Sequence, residues 1–263
     1  MSSLVSRIVV TVIGLPIVLG LVWLGDLWLL GLAAVVALIA LHEFVEMTRP
    51  LRPLVLAAYL GALALLVGAA LGGTPWLLGG FLLTLVLAFV LYGLGATRQP
   101  ATVAVGATML GTTWVGVGLA HVLLLRELPE DGRLALFTVL LAVFAADTAA
   151  FFVGRLLGRH KLAPTLSPRK TWEGLAAGAL AALAVCFFAL YEQGFMEGWR
   201  SFVLGGAITA AAVLGDLFAS ALKRDMGVKD TGRLLGGHGG MLDRIDALLF
   251  AAPAAFYLIL AVA

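Results

Sequence analysis

Long apolar runs dominate this sequence, and they constrain the fold more than any other feature. About 17–25 apolar residues are needed to cross the hydrocarbon core of a bilayer as a helix. Nine runs approach or reach this length, at about residues 8–25, 27–45, 53–72, 75–94, 101–125, 133–154, 174–191, 199–222 and 246–263. Because only helices and closed barrels satisfy their backbone groups in lipid, the runs predict an all-α, polytopic integral membrane protein of about nine transmembrane helices.

Composition excludes an ordinary soluble domain. Hydrophobic residues make up 62% of the chain and charged residues 12%, whereas soluble domains carry about 25% charged residues. The one cysteine, Cys186, lies in an apolar run, so we predict no intramolecular disulfide. The first run lacks a small-residue cleavage site before Asp26, and we therefore predict a retained first span in preference to a cleaved signal peptide.

Positive charge is distributed unequally along the chain. If the runs alternate across the membrane, fourteen Lys or Arg residues fall on the side of the N-terminus and three on the other side. Cytoplasmic loops are the ones enriched in Lys and Arg. We therefore predict a multi-pass protein of the cell (inner) membrane, with the N-terminus and the polar C-terminal loops in the cytoplasm.

The last runs and the loops between them carry nearly all of the polar chemistry. Asp216, Ser220 and Lys223 are spaced by four and three residues near the end of the eighth run, which places them on one stripe of a helix. An aspartate inside a membrane is costly and needs a partner. Two interpretations of Asp216 are open. It is either a structural residue, in a packing contact or an ion pair with Lys223 or Arg224, or it is a metal ligand.

Two further aspartates favour the metal interpretation. Asp243 and Asp246 are three residues apart at the start of the ninth helix, so both can project to one side. Together with Asp216 they supply three hard oxygen ligands near phosphate-binding residues, which suits Mg²⁺. We predict Asp216, Asp243 and Asp246 as ligands of Mg²⁺, and a second cation remains open.

A glycine-rich segment, Gly236-Gly237-His238-Gly239-Gly240, precedes the last run. Glycines let backbone N–H groups approach an anion closely, and a helix N-terminus follows, which also favours anions. His238 can be a phosphate donor, a general acid or a structural tether of the loop. We favour the phosphate donor.

A basic loop follows the sixth run. Positive-inside charge, or attraction to anionic lipid, accounts for Arg155, Arg159 and Lys161. The order Ser167-Pro168-Arg169-Lys170-Thr171-Trp172-Glu173-Gly174 is more specific than a basic loop requires. We expect Ser167 or Thr171 to cap the seventh helix, with Glu173 in its first turn and Lys170 reaching a phosphate.

Two stretches resemble the phosphatidate cytidylyltransferases (CDP-diacylglycerol synthases). Residues 220–246 match the family's signature through Ser-x-Leu-Lys-Arg, then Lys-Asp, then His-Gly-Gly-x-x-Asp-Arg-x-Asp. Residues 147–174 are similar to the family's other well-marked region. Phe151 stands where the family often has Tyr, and Gly236 where it often has Pro.

The resemblance implies a nucleotidyltransferase of phospholipid biosynthesis that converts CTP and phosphatidic acid to CDP-diacylglycerol and pyrophosphate. It implies a homodimer, and we expect no nucleic-acid partner. We predict catalytic roles for Asp216, Ser220, Lys223, Asp243 and Asp246. We predict substrate-binding roles for Asp147, Lys170, Lys223, Arg224, Lys229, His238, Gly239, Gly240 and Arg244. Residues 1–100 then form an N-terminal group of about four helices, and residues 101–263 a catalytic region with loops at 155–173 and 223–245.

Two other functions remain open. A CTP-dependent lipid kinase of the polyprenol kinase type would share the helical body and the nucleotide, but would transfer the γ-phosphate. An anion transporter would use the same charges as a binding site, and it should show paired broken helices in two halves.

Three polar residues, His42, Glu43 and Glu46, close the second run. We interpret them as interfacial or packing residues, with a role on the lipid side as the alternative.

Overall fold

The computed structural model describes residues 14–95, 99–129, 131–191, 193–194, 196, 198–232 and 239–262, and in these ranges the chain is almost wholly helical. The helices are α1 Leu15–Leu24, α2 Asp26–Met47, α3 Val55–Leu94, α4 Ala101–Thr112, α5 Gly118–Arg126, α6 Gly132–Leu157, α7 Trp172–Leu190, α8 Trp199–Asp225 and α9 Leu242–Val262. A π-helical turn, Thr113–Val117, joins α4 to α5. A short 3₁₀ turn, Arg49–Leu51, follows α2.

Among the described residues, seven helical elements are long and apolar enough to cross a membrane, counting α4 to α5 as one. The prediction of an all-α polytopic membrane protein is therefore confirmed. The count of nine spans stays a prediction, because the first predicted span lies partly outside the described residues and α3 is counted as one element.

Helix α3 contains a reversal. Its 40 residues would extend about 60 Å as one straight helix, twice the core of a bilayer. Gly72 and Gly73 leave the helical region, and Gly73 has φ 65°. The two arms then pack against each other, since Gly61 faces Thr84 and a Cβ at Gly80 would lie 2.8 Å from the Ala64 carbonyl oxygen. The reversal falls at the boundary predicted between the third and fourth spans.

The chain divides into two compact units. The first comprises residues up to Leu124 together with Met226–Ile245, and the second comprises Leu125–Asp225 and Asp246–Ala263. The boundary near the C-terminus falls inside α9, between Ile245 and Asp246. This division rests on packing and does not test the predicted functional division at residue 100.

The core of the first unit lies where α2, α3 and the π-helical turn meet. Phe44 of α2 is fully buried and meets Trp114 edge to face, with ring centroids 6.4 Å apart. Gly111 lies directly against the Phe44 ring, and Gly116 against Leu65. Small residues let helices approach closely in a membrane, where dispersion contacts drive packing. The end of α2 is therefore firmly anchored.

In the second unit, glycines again set the approach of the helices. A Cβ at Gly174 would lie 2.7 Å from the Ala150 carbonyl oxygen, and one at Gly178 would lie 2.9 Å from that of Ala146. These positions repeat every four residues on α6 and α7, the small-xxx-small pattern of membrane helix pairs. Gly205 of α8 packs in the same way against the backbone of α7 at Leu183.

A two-stranded antiparallel hairpin fills most of the loop between α6 and α7. Strand β1, Lys161–Ala163, pairs with β2, Ser167–Thr171. The sequence predicted a loop without strands here. Strands of three and five residues are too short to show the alternation of side chains that identifies a strand. The hairpin is what gives Lys170 a defined position.

Candidate active site

The residues predicted on α8 lie on one continuous helix, as their spacing requires. Asp216 is partly exposed, at 33% of its side chain, and its Oδ2 lies 2.6 Å from Nζ of Lys170, whose side chain is 22% exposed. Asp216 therefore forms an ion pair with a residue of β2. The spacing along the sequence suggests different partners, its neighbours Lys223 and Arg224.

This ion pair joins one motif region of the sequence to the helix that leads into the other. Lys170 belongs to the region of residues 147–174 and Asp216 lies just before Ser220, where the second region begins. Partial burial makes such a pair more effective than one on an open surface, where ion pairs contribute about 0–1 kcal/mol. Two segments predicted to act together are thus in contact within the second unit.

The start of α7 explains why Lys170 is held there. Thr171 is buried, and its hydroxyl accepts a hydrogen bond from the Gly174 amide at 3.1 Å, which confirms Thr171 as the N-cap. Glu173 lies in the first turn, as predicted, and accepts from the His160 amide at 3.2 Å. Its carboxylate also pairs with Nδ1 of His160 at 2.6 Å. These bonds tie both ends of the hairpin to one helix terminus.

Arg224 contributes a further tie. Its Nε donates to the Leu166 carbonyl oxygen at 3.5 Å, from the last turn of α8 to the turn of the hairpin. Arg224 was predicted to bind substrate phosphate. The structure places its guanidinium, which is exposed, beside the hairpin that carries Lys170. Ser220 and Lys223 are half-buried on the same helix.

Asp147 of α6 completes a charged group in the second unit. It lies close enough to Asp216 and Lys170 to interact electrostatically with both. The group thus contains two carboxyl groups and one ammonium, of which Asp216 and Lys170 form the ion pair. Such an arrangement favours the binding of another cation.

Asp246 is brought near α8 by a glycine. Gly215 packs directly on the Asp246 carbonyl oxygen, so closely that a Cβ at this position would collide with it. The Asp246 side chain is 7% exposed, and its Oδ1 accepts from the Ala247 amide at 2.8 Å. The residue before Asp216 thus touches the backbone of Asp246, which agrees with a shared role for these two aspartates.

Asp243, the other predicted metal ligand, belongs to the first unit. Its Oδ2 accepts from the Thr231 amide at 2.9 Å and from the Gly240 amide at 3.2 Å. The bond to Gly240 reaches back three residues, as in a capping box. Asp243 therefore organises the loop that leads into α9, a role that the sequence analysis did not foresee.

The sequence interpretation left Glu43 as an interfacial or a packing residue, and its burial agrees with the packing residue. Glu43 is 5% exposed, and its carboxylate accepts from the amides of Met241 and Leu242 at 3.0 Å and 2.9 Å. It also accepts from the Thr231 hydroxyl at 3.3 Å. An interfacial residue would be exposed. The sequence does show a carboxylate near the end of an apolar run. If such a carboxylate is buried, it needs hydrogen-bond donors from elsewhere in the chain.

Of the remaining residues predicted to bind substrate, most lie within the described ranges. Lys229 and Arg244 are exposed in the first unit. Gly239 has φ 81°, a conformation that favours glycine, and Gly240 is buried against Thr231 and Glu43. His238, Gly236 and Gly237 lie outside the described residues.

The donor chemistry suits a metal bound together with substrate. Within the described ranges, no group of three or more His, Cys, Asp or Glu side chains is placed to hold a metal ion. Mg²⁺ does not need such a cage, because it usually takes one or two carboxylates and completes its shell with phosphate oxygens and water. The hard oxygens of Asp147 and Asp216, which lie close enough to interact electrostatically, fit this mode of binding.

Comparison with known sequences gives the relationship of the whole chain. A sequence model of the cytidylyltransferase family matches residues 5–262. The phosphatidate cytidylyltransferase of Mycobacterium bovis is 32% identical over 264 aligned positions, covering 93% of this chain and 84% of that protein. The enzyme of that name from Staphylococcus haemolyticus is 32% identical, covering 94% and 95%. That of Haemophilus influenzae is 45% identical over 130 positions, covering 48% and 45%. The chain belongs to the cytidylyltransferase family.

Proposed function

We propose that this protein is a phosphatidate cytidylyltransferase, which makes CDP-diacylglycerol and pyrophosphate from CTP and phosphatidic acid. The observation that carries the proposal is the contact between Lys170 and Asp216, at 2.6 Å. It joins the region of residues 147–174, which resembles this family, to an aspartate of α8 that lies four positions before the second such region. The match to relatives of that name over more than nine-tenths of the chain supports the same conclusion.

The chemistry needs no strong general base. The nucleophile is an oxygen of the phosphatidate monoester, whose second pKa is near ~6, so it is largely anionic at neutral pH. This oxygen forms a bond to the α-phosphorus of CTP, and the bond from that phosphorus to the bridging oxygen of the β-phosphate breaks. Pyrophosphate leaves with that electron pair. The main tasks are to bring two anions together, align them, and stabilise the charge on the leaving group.

Cationic side chains perform the first of these tasks. Lys170 is held in position by Asp216 on one side and by the hairpin on the other, so its ammonium needs little reorganisation to meet a phosphate. We assign Lys223, Arg224, Lys229, His238 and Arg244 to the phosphates as well. We also assign Asp147 to the substrate site beside Lys170, and the backbone of Gly239 and Gly240 gives an anion close access.

Asp216, Asp243 and Asp246 are the residues we assign to Mg²⁺, with Asp147 beside Asp216. The bound ion would supply Lewis-acid stabilisation of phosphate oxygens. Lys170 uses Oδ2 of Asp216, so a cation at the other oxygen is compatible with the ion pair. The backbone bonds of Asp243 orient its carboxylate, which lowers the cost of organising it when a ligand arrives.

An assay with two labels tests the proposed activity. The purified protein in lipid nanodiscs receives phosphatidic acid, Mg²⁺ and CTP labelled at either the α- or the γ-phosphate. The proposal predicts that the α-label enters the lipid and the γ-label leaves as pyrophosphate. Transfer of the γ-label to the lipid, with release of CDP, would instead identify a lipid kinase. EDTA should abolish the reaction, and added Mg²⁺ should restore it.

We place the protein in the cell (inner) membrane with the N-terminus and the polar C-terminal loops cytoplasmic, because of the distribution of Lys and Arg. Thr165 lies in the turn of the hairpin, between β1 and β2, and is exposed. In a Cys186→Ala background, Thr165→Cys should react with a maleimide only when the reagent reaches the cytoplasm. Labelling from outside intact cells would reverse the assigned orientation.

A homodimer is part of the proposal, on the basis of family resemblance alone. Native mass spectrometry of the protein released from nanodiscs would give its oligomeric state directly. A monomer at concentrations where the enzyme is fully active would remove the dimer from the proposal.

A further inference from the structure

A buried carboxylate from the N-terminal part of the chain holds the loop that leads into the last helix. Glu43, near the end of α2, is 5% exposed. Its two oxygens accept three hydrogen bonds, from the Thr231 hydroxyl and from the amides of Met241 and Leu242. Among the described residues, these contacts connect positions 188 to 199 residues apart in the chain.

The space around this carboxylate is closely filled. A Cβ at Gly232 would lie 2.5 Å from the carboxyl carbon of Glu43, and one at Gly240 would lie 2.5 Å from its Oε2. Both positions therefore require glycine if Glu43 is to stay where it is. The fit of two glycines around one side chain is a strong geometric constraint on the loop.

Thr231 is held from both sides. Its hydroxyl donates to Glu43 at 3.3 Å, and its amide donates to Asp243 at 2.9 Å. Asp243 also accepts from the Gly240 amide. Glu43, Thr231 and Asp243 thus form a chain of hydrogen bonds that fixes the orientation of the Asp243 carboxylate.

The charge of Glu43 is well suited to this place. The first amides of a helix have no partner within the helix, and the N-terminal end of the helix dipole favours a negative charge. Glu43 accepts from two of these amides at the start of α9. A glutamine has the same shape, but its NH₂ group would face an N–H group, so at least one of the bonds would be lost.

We propose that Glu43 is a positioning residue of the active site: it holds the Thr231–Gly240–Asp243 loop in the arrangement that receives the nucleotide. This inference rests on the proposed cytidylyltransferase function. Glu43 touches no reacting atom in this scheme. It acts through Asp243 and the backbone of residues 240–242, so its loss should weaken the binding of CTP more than that of phosphatidic acid.

Glu46 provides a matched control on the same helix. It lies one turn beyond Glu43, its side chain is 55% exposed, and its one recorded ion pair is to Arg49 at 3.9 Å. Glu43→Gln and Glu46→Gln remove the same charge from the same end of α2. They differ in the burial of the carboxylate and in the bonds that it makes.

The first measurement is independent of activity. Hydrogen–deuterium exchange of the purified protein reports on the amides of Met241 and Leu242. We expect Glu43→Gln to accelerate their exchange at least about tenfold, since a lost bond to a charged group is worth about 1.5–3 kcal/mol, and Glu46→Gln to leave it unchanged. Unchanged exchange in Glu43→Gln would overturn the proposal.

The second measurement separates positioning from mere stability. In Glu43→Gln we expect the KM for CTP to rise about tenfold or more, because the loop is less ordered. The KM for phosphatidic acid should stay within about twofold of the wild-type value. Faster exchange with an unchanged KM for CTP would show that Glu43 has only a structural role, and would overturn the proposal. A wild-type protein that makes no CDP-lipid would overturn the proposed function itself, whatever the exchange shows.

A second pair of variants applies if Glu43→Gln does not fold. Thr231→Val removes the hydroxyl that Glu43 accepts from and keeps the shape, whereas Thr231→Ser keeps the hydroxyl. We expect the CTP KM to rise in Thr231→Val and to stay near the wild-type value in Thr231→Ser. Equal KM values in the two variants would overturn the proposal.

Discussion

Two sets of acidic side chains, one in each unit, are stabilised in different ways. In the second unit, Asp216 is paired with the ammonium of Lys170. In the first, Glu43 and Asp243 are stabilised by backbone and hydroxyl donors. An ion pair holds two mobile side chains at one point, so either partner can turn to a charged ligand. Backbone N–H groups move only with the main chain, so a carboxylate that accepts from them fixes the backbone conformation. The first arrangement positions two charged side chains, and the second fixes the backbone of the loop before α9.

The largest effect should come from exchanging the charges of the ion pair. Asp216→Lys combined with Lys170→Asp restores an attractive pair with the opposite polarity. If the pair is only structural, activity returns. In the proposed role, the swap places a cation at the metal site and an anion at the phosphate, and like charges brought together at an interface cost several kcal/mol. We expect turnover to stay at least about a thousandfold below wild type.

The control for the swap is folding, measured by thermal unfolding in nanodiscs. The double variant should unfold closer to the wild-type temperature than either single variant does, because each single variant leaves one charge without its partner. Activity that recovers along with stability would mean that the Lys170–Asp216 pair has no catalytic role.

A smaller loss should follow neutralisation of the aspartates on α9. Asp243→Asn and Asp246→Asn keep the shape and remove the charge. We expect turnover to fall about a hundredfold in each, the scale of losing one electrostatic stabiliser. The comparison becomes sharper if Asp243→Asn also accelerates amide exchange at Thr231 and Gly240, whose bonds it weakens. Near-normal turnover in both variants would remove them from the metal assignment.

The smallest effect concerns packing in the second unit. Gly215→Ala should destabilise the protein by about 1–3 kcal/mol, the usual cost of overpacking, because the new methyl group meets the Asp246 carbonyl oxygen. Gly206→Ala, on the same helix, is the control, since nothing lies within 4 Å of its added Cβ. Denaturation in mild detergent would compare the two. Equal stabilities would show that α8 and α9 are not in close contact at Gly215.

Much of the architecture could be read from hydropathy. The apolar runs predicted the long helices, including the break near residue 73, where two glycines and Pro75 interrupt a helix pattern. Thr171 and Glu173 were recognisable as a helix start, because a cap and an acidic first turn satisfy local backbone groups. These features depend on neighbours a few residues away, so local sequence carries the information.

Local sequence did not predict the hydrogen-bond and ion-pair partners of the charged residues. Lys170 and Asp216 are 46 positions apart by their numbers, and the short hairpin that brings Lys170 into place has no detectable period. Asp243 was recognised as an important carboxylate, but its backbone bonds depend on a loop conformation that glycine permits and does not specify. Glu43 was expected to be an interfacial or a packing residue, but its hydrogen-bond donors could not be identified, since they lie nearly two hundred residues away.

The sequence by itself determined that this chain folds as membrane helices and which polar residues stand out against the apolar background, because transfer into lipid is decided residue by residue over one span. Only the tertiary structure decided which carboxylate pairs with a lysine and which one holds the backbone at the start of α9. The physical reason is that electrostatic and hydrogen-bond partners act over a few ångströms in space. Neither hydropathy nor local spacing records which distant segments the fold brings within that range.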